Sequence, residues 1–211
     1  MDVLVWVKDL VCFDNHGKPV HSPLDFSCGA GEWIYLQGTR RRCEILFDVL
    51  SGLRSPEAGI LRMNGHSPYE MPEKELARFR RDNIGDIFPE LGWMPELPLL
   101  DQMILPLLLK GMSWAESVAH LKQYLPEQLP LHSLYNRPGK CTRRKQQLAS
   151  LVRAAIKQPS IWVIYDFPEE DDYADELWKV LTTIVAGTAA VLYLGTGLPP
   201  EQVQWAQKLT I

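Results

Sequence analysis

The feature that most limits the fold is the run Ile-Trp-Val-Ile-Tyr at Ile161–Tyr165, five large apolar residues with no polar position between them. A run this short, apolar at every position, predicts a strand buried on both faces, and such strands belong to sheets covered by helices. A second strand is predicted at residues 189–194, after a helix-patterned stretch at 174–186. Upstream, residues 3–7 form a β-branched run, and residues 24–28 and 33–37 read as strands around the Gly29-Ala30-Gly31 turn. In residues 44–53 the side chains Ile45, Leu46, Val49, Leu50 and Leu53 fall on one helical face. A strand at 60–63 ends at Asn64-Gly65, a turn signal. A charged helix follows at 72–81 with Pro72 at its first position, then a strand at 84–88. From residue 89 to 135 the pattern changes to helices separated by prolines, including 113–125, before a long helix at 142–157. Strands alternating with helices define an α/β class with a helical lobe inserted in the middle.

At 211 residues the chain can bury one full core. Its formal net charge of -4 argues against a dedicated nucleic-acid binder. The N-terminal Met-Asp-Val-Leu-Val-Trp-Val-Lys-Asp has no basic region and its apolar run breaks at Lys8 and Asp9, so it does not read as a secretory signal. The longest uninterrupted apolar stretch, residues 103–109, is far short of the roughly 20 residues a membrane helix needs. Any membrane role is therefore expected to be peripheral. The four cysteines, Cys12, Cys28, Cys43 and Cys141, show no C-x-x-C pair, and reduced thiols in the cytoplasm are expected.

The segment LFDVLSGLRSPEAGILRMNGHSPYEMPEKELARFRRDNIGDIF resembles the ATP-binding subunits of ABC transporters between the Walker A motif and the Q-loop. It is most similar to the branch serving lipoprotein release, macrolide efflux and cell division. Leu53, Pro56, Gly59, Asn64-Gly65, Arg80-Arg81 and Ile84-Gly85 fall into that family's register. Downstream, QQLASLVRAAIKQPSIWVIYDFP resembles the signature helix, the Arg-Ala segment and the Walker B strand, and MILPLLLKGMSWAES resembles the helical lobe. The resemblance implies a P-loop-type core sheet flanked by helices, an antiparallel β subdomain in the N-terminal part, and a helical lobe at roughly 90–141, all within one domain spanning 1–211.

Against that pattern the chemical positions differ one by one. Walker A needs glycines whose N–H groups close around phosphates, a Lys for the β/γ-phosphates and a Ser/Thr for Mg²⁺. Here the segment is Gly38-Thr39-Arg40-Arg41-Arg42-Cys43-Glu44, with Cys43 or Glu44 at the lysine position depending on register. Arg40, Arg41 and Arg42 are either a replacement phosphate clamp, a solvated basic turn, or partners of nearby carboxylates. At Walker B, Asp166 is the remnant and Phe167 stands where the catalytic Glu is expected; in a second register Tyr165 and Asp166 fill the two acidic slots. The signature positions read Cys141-Thr142-Arg143-Arg144-Lys145, three cations that oppose the helix dipole unless an anion faces them. The Q-loop glutamine position is Pro89, and Thr196 or a neighbour stands at the switch histidine. None of the five histidines lies near that point, and all read as ordinary surface or core histidines. Phe13 keeps an aromatic at the adenine-stacking position, and Glu169, Glu170, Asp171 and Asp172 follow where the family's D-loop runs toward the opposing subunit.

Phosphoryl transfer depends on positioning and charge stabilisation, and all the parts that supply them are replaced together. The expectation is a pseudo-ATPase with no catalytic residue and no metal site, no cofactor required, and ATP with Mg²⁺ an unfavoured alternative ligand. The resemblance further implies an integral membrane permease as partner through the helical lobe, dimerisation with itself or with an active ATPase subunit through Arg143, Arg144, Lys145 and the acidic run, and a place on the cytoplasmic face of the inner membrane. Two other readings stand beside it: a non-transport scaffold bridging a membrane protein and cytosolic partners, and a nucleotide binder rebuilt around arginine.

Overall fold

The computed structural model describes residues 2–88, 92–166, 174–185, 187–198, 201 and 203–211. In chain order the elements are β1 (Val3–Val11), β2 (Leu24–Gly29), β3 (Trp33–Gln37), α1 (Arg40–Leu50), β4 (Ala58–Met63), α2 (Glu73–Asn83) and β5 (Ile84–Ile87). They continue with α3 (Leu99–Leu108), α4 (Trp114–Lys122), α5 (Arg143–Ala155), β6 (Ile161–Tyr165), α6 (Ala174–Ile184), β7 (Ala190–Gly195) and β8 (Gln207–Thr210). The chain divides into two compact units, one comprising Met1–Asp86, Pro159–Asp166 and Ala186–Ile211, the other Ile87–Gln158 and Phe167–Val185.

The first unit holds both sheets. A three-stranded antiparallel sheet has the order β2-β1-β4, and a five-stranded sheet the order β5-β6-β7-β3-β8. In the larger sheet β7 runs parallel to β3 and β6, and β8 parallel to β3. Every residue of β6 and β7 is buried, which explains why both read as unbroken apolar runs. Helix α1 packs on β6 and β7 through Cys43, Leu46, Val49 and Leu50. In β1 the alternation that buries Val5 and Val7 slips at Asp9, whose φ of 48° marks a bulge, and pairing with both neighbours shifts register there. Gly59 sits opposite at φ 89°, where any Cβ would overlap the Asp9 carbonyl oxygen.

Most boundaries shift by a few residues from the sequence expectation, and three of the shifts have a clear local reason. Helix α1 starts at Arg40, four residues earlier than the apolar periodicity suggests, because its exposed first turn contributes nothing to that periodicity. It ends at Leu50, since Gly52 takes φ 69°, and this leaves Leu53 exposed and off the core face. Pro72 is the N-cap of α2, with extended ψ, and lies one position before the helix. The short edge strand β8 has no counterpart in the sequence reading.

The second unit is helical. α3 packs against α4 and α5, and α5 against α6, around Leu100, Met103, Leu121, Leu148 and Leu151. Ser113 opens α4 with a capping box: its Oγ accepts the Glu116 N–H, and the Glu116 carboxylate accepts the Ser113 N–H. The Arg153 guanidinium lies 4.4 Å over the Trp93 ring. No helix among the described residues is long and apolar enough to cross a membrane.

Candidate functional site

The Walker A segment leaves β3 at Gln37 and enters α1 at Arg40, so only Gly38 and Thr39 separate strand from helix. Gly38 N–H donates to the Gly195 carbonyl at 3.0 Å, and a Cβ on Gly38 would lie 2.6 Å from Ile211 Cγ1. Thr39 is the N-cap, extended at φ -67° and ψ 156°, and makes no side-chain cap bond. The polypeptide that would wrap a phosphate in a glycine-rich loop is here the first turn of a helix, roofed by Ile211.

Each arginine of that turn has an intramolecular partner. Arg40 Nε pairs with Glu44 Oε1 at 2.8 Å, Arg41 lies 3.8 Å from Asp14, and Arg42 donates to the Ile211 carbonyl at 2.9 Å. Of the options open in the sequence, this is the carboxylate-paired one for Arg40 and Arg41. Cys43 is fully buried, its thiol 3.5 Å from the Gly195 carbonyl, and burial pushes that thiol up to about 11. Glu44 is half-buried and engaged by Arg40.

Asp166 follows β6 and is held by the chain itself. Its N–H donates to the Leu194 carbonyl at 2.9 Å. Its Oδ1 accepts the Tyr193 hydroxyl at 2.8 Å and its Oδ2 accepts the Thr196 N–H at 3.2 Å. Thr196, a candidate for the switch position, thus holds the Asp166 carboxylate through its backbone N–H. Tyr165, the other acidic-slot candidate, is buried, and its phenol is pushed up to about 12 by that burial. Behind this corner Tyr35, Tyr193 and Trp205 form an aromatic cluster: Tyr35 stacks on Tyr193 at 5.8 Å, and Trp205 meets both edge-on at 5.2 and 5.8 Å. The Tyr35 hydroxyl and Gln37 Nε2 both donate to the Gly197 carbonyl, at 2.9 and 2.8 Å.

Phe13 lies just past β1. Its N–H donates to Glu57 at 2.7 Å and its carbonyl accepts from Arg54 at 2.6 Å, which fixes the ring against an open cavity that it lines with His21, Arg42 and Ile211. His21, Ile211 and the aromatic cluster had no signal in the sequence beyond proximity to Phe13 in the case of His21.

In the second unit, Arg143, Arg144 and Lys145 form the first turn of α5, which contains no acidic residue. The Thr142 hydroxyl accepts the Lys145 N–H at 3.3 Å as a cap, Arg144 pairs with Glu176 of α6, and Arg143 is exposed. Pro89, Phe167, Glu169, Glu170, Asp171 and Asp172 lie outside the described residues. Among the described residues no group of His, Cys, Asp and Glu is arranged to hold a metal ion.

Comparison with solved structures defines the class. The chain superposes on the dimeric bacterial ABC transporter cassette MJ0796 with a TM-score of 0.78 at 19% identity, over 92% of this chain and 88% of that one. It superposes on cbiO1 of Clostridium perfringens, part of the cbiONQ ABC transporter complex, with a TM-score of 0.76 at 12% identity, over 94% and 80% of the two chains. At such identities the likeness carries the fold alone, and the fold is that of an ABC ATPase cassette.

Kinship rests on sequence. The chain is 27% identical over 165 residues to the lipoprotein-releasing system ATP-binding protein LolD of Geobacter metallireducens, covering 76% of this chain and 73% of that protein. It is 26% identical over 164 residues to the ABC transporter ATP-binding protein YvcR of Bacillus subtilis, covering 77% and 63%. It is 26% identical over 183 residues to the ABC transporter ATP-binding protein Rv0986 of Mycobacterium tuberculosis, covering 85% and 73%. No protein-family model matches the chain. The chain is thus a homologue of ABC transporter ATP-binding proteins, LolD among them.

Proposed function

We propose that this chain is a pseudo-ATPase: an ABC ATP-binding-subunit homologue that docks on a membrane permease as a structural or regulatory component and leaves hydrolysis to another subunit. The observation that carries the reading is the opening of α1 at Arg40, two residues after Gly38. A phosphate cradle needs a loop of free N–H groups ahead of the helix, and this connection has no length for one. The charges do not fit Mg-ATP either. Arg40 and Arg41 are paired with carboxylates of the chain, Arg42 is tied by one N–H to the Ile211 carbonyl, Glu44 would repel a phosphate, and both Asp166 oxygens accept internal donors. Among the described residues no cation is placed for the β/γ-phosphates, and the sequence has Phe167 where the general base is expected, so the transition-state charge stabilisation on which phosphoryl transfer depends is missing on this reading.

Support for docking comes from α3. Asp101, Leu105 and Leu109 follow one another at four-residue spacing along one stripe, and Trp114 joins it through an Nε1–H bond to Asp101 at 3.4 Å. Leu105, Leu109 and Trp114 are 40%, 62% and 47% exposed, an apolar ridge of the kind that receives a partner helix. Association with the permease places the chain at the cytoplasmic face of the inner membrane, as a dimer with itself or with an active ATPase subunit.

The test is a titration with Mg-ATP followed by thermal unfolding. A ligand binding only the native state at about 100 times its Kd stabilises by about 2.7 kcal/mol. The expected result is no shift at millimolar Mg-ATP; a shift that vanishes when Arg40, Arg41 and Arg42 become alanine would instead establish an arginine-built nucleotide site.

A further inference from the structure

Between the end of β1, residues 19–23, the first turn of α1 and the end of β8 lies an open cavity of about 650 Å³, within the size range that holds small molecules. Its walls are mostly apolar, formed by Val11, Phe13, Val20 and Ile211. Four lining residues carry polar side chains, His21, Ser22, Arg42 and Thr210, and of these only His21 and Arg42 carry nitrogen.

His21 is 7% exposed, and its Nδ1 lies 2.8 Å from the Ser22 carbonyl oxygen. A carbonyl only accepts, so Nδ1 carries the hydrogen. Burial holds the imidazole below its ordinary range, with the nearby Arg42 charge acting in the same direction and the Ser22 bond and Glu57 opposing. The ring is therefore neutral, and Nε2 presents a lone pair. That atom is buried and has no hydrogen-bond partner among the described residues. Buried acceptors in native proteins are nearly always satisfied, so an orphan on a cavity-lining residue marks the atom that an occupant would address with a donor.

Arg42 spends one N–H on the Ile211 carbonyl, and the rest of its planar fork remains for an anion. A single guanidinium over apolar walls suits a singly charged carboxylate better than a phosphate, which carries up to two charges and asks for several donors.

We propose that this cavity is a binding site for a small organic carboxylate with a flat apolar body and an N–H or O–H donor, the donor to His21 Nε2, the carboxylate to Arg42 and the body against Phe13. This goes beyond the pseudo-ATPase reading, since it assigns a ligand of different chemistry to a cavity that shares only Arg42 with the Walker A segment, and it does not depend on whether hydrolysis is lost.

Indole-3-acetate supplies all three elements and serves as the probe. Benzofuran-3-acetate removes only the N–H, and indole-3-acetamide only the charge. Calorimetric titration of the full chain is paired with long-range ¹H–¹⁵N spectra of the histidine rings. Indole-3-acetate is expected to bind one to one with Kd below about 1 mM and to shift the His21 Nε2 resonance. Each analogue should bind at least about tenfold more weakly, as should indole-3-acetate to the Arg42→Gln variant, in which an exposed side chain is replaced and the core is untouched. No His21 shift at about 10 mM probe overturns the assignment, as does equal binding of the benzofuran analogue. The ligand pair is measured on the unaltered chain, so the outcome does not depend on a His21 variant folding.

Discussion

Gly195→Ala probes the corner where the Walker A remnant, the Walker B remnant and the aromatic cluster meet. Gly195 closes β7 and accepts both the Gly38 N–H and the Cys43 thiol through its carbonyl. A Cβ there would overlap the Tyr35 hydroxyl and lie 2.9 Å from Tyr35 Cε2 and Cζ. Tyr35 is 1% exposed, stacked on Tyr193 and edged by Trp205, so its ring has nowhere to retreat. Overpacking of a dense core costs about 1–3 kcal/mol. Displacing the ring also breaks the hydroxyl bond to the Gly197 carbonyl, worth about 1 kcal/mol. The single variant should therefore lose about 2–4 kcal/mol. Tyr35→Phe alone should lose about 1 kcal/mol. In the double variant the hydroxyl bond is lost only once and the worst overlap is gone, so the penalties should fall short of additivity by about 1–2 kcal/mol. Urea unfolding of the four proteins, with m-values compared to check two-state behaviour, measures this coupling. Strict additivity, or a Gly195→Ala protein as stable as the parent, would refute the packing described for this corner.

Two further outcomes follow from the same region. Cys43→Lys places an ammonium at a fully buried position, where the Gly195 carbonyl and the nearby Asp166 and Glu44 charges offset only part of its desolvation, and should cost about 3 kcal/mol, whereas Glu44→Lys loses a half-exposed ion pair worth at most about 1 kcal/mol. Equal stability of the two variants in urea would mean that Cys43 is not the core residue it is taken to be. For pH dependence, Glu57 is the clearest group. Partial burial acts to raise its carboxyl, but the Arg54 hydrogen bond, the Phe13 N–H and the Arg54 charge outweigh that and hold it below the usual carboxylate range. The unfolded chain therefore takes up this proton first, so the stabilisation is complete above the unfolded value of about 4.3 and is lost as pH falls through the folded value. Glu57→Gln should decline less steeply than the parent between about pH 5 and 3, and an unchanged slope would remove Glu57 from the account.

The strands β6 and β7 were legible because every position is buried, so the sequence has no polar interruption to blur them. The start of α1 was not, since hydrophobic periodicity registers only the side that faces the sheet and Arg40, Arg41 and Arg42 all face solvent. Thr39 was the available sign, an N-cap residue type immediately after a strand. The strand β8 was missed because an edge strand of four residues alternates between half-buried Gln207 and Leu209 and exposed Lys208 and Thr210. At the site, the Arg40–Glu44 pair is readable from four-residue spacing on a helix. The Arg41–Asp14 pair, the Ile211 roof over Gly38 and the Tyr35–Tyr193–Trp205 cluster join segments far apart in the chain, and only the folded sheet brings them together.

Asp166 shows why one acidic residue of an ATPase-type site can stay while its neighbours change. On the proposed reading it no longer faces a metal, yet its N–H and both carboxylate oxygens make hydrogen bonds that cross from the end of β6 to β7 or the turn after it. A carboxylate there satisfies a buried tyrosine hydroxyl and a backbone N–H at once, and an apolar replacement would leave the Tyr193 hydroxyl without its partner inside the aromatic cluster. Arg40 and Arg41 carry no such double duty. Their exposed side chains lie on the first turn of α1 and reach carboxylates at the surface, where substitution costs little. On the proposed reading, then, loss and retention follow which side chains the fold itself uses: the Asp that clasps two strands stays, and the cations and glycines that would serve only a phosphate are the ones replaced.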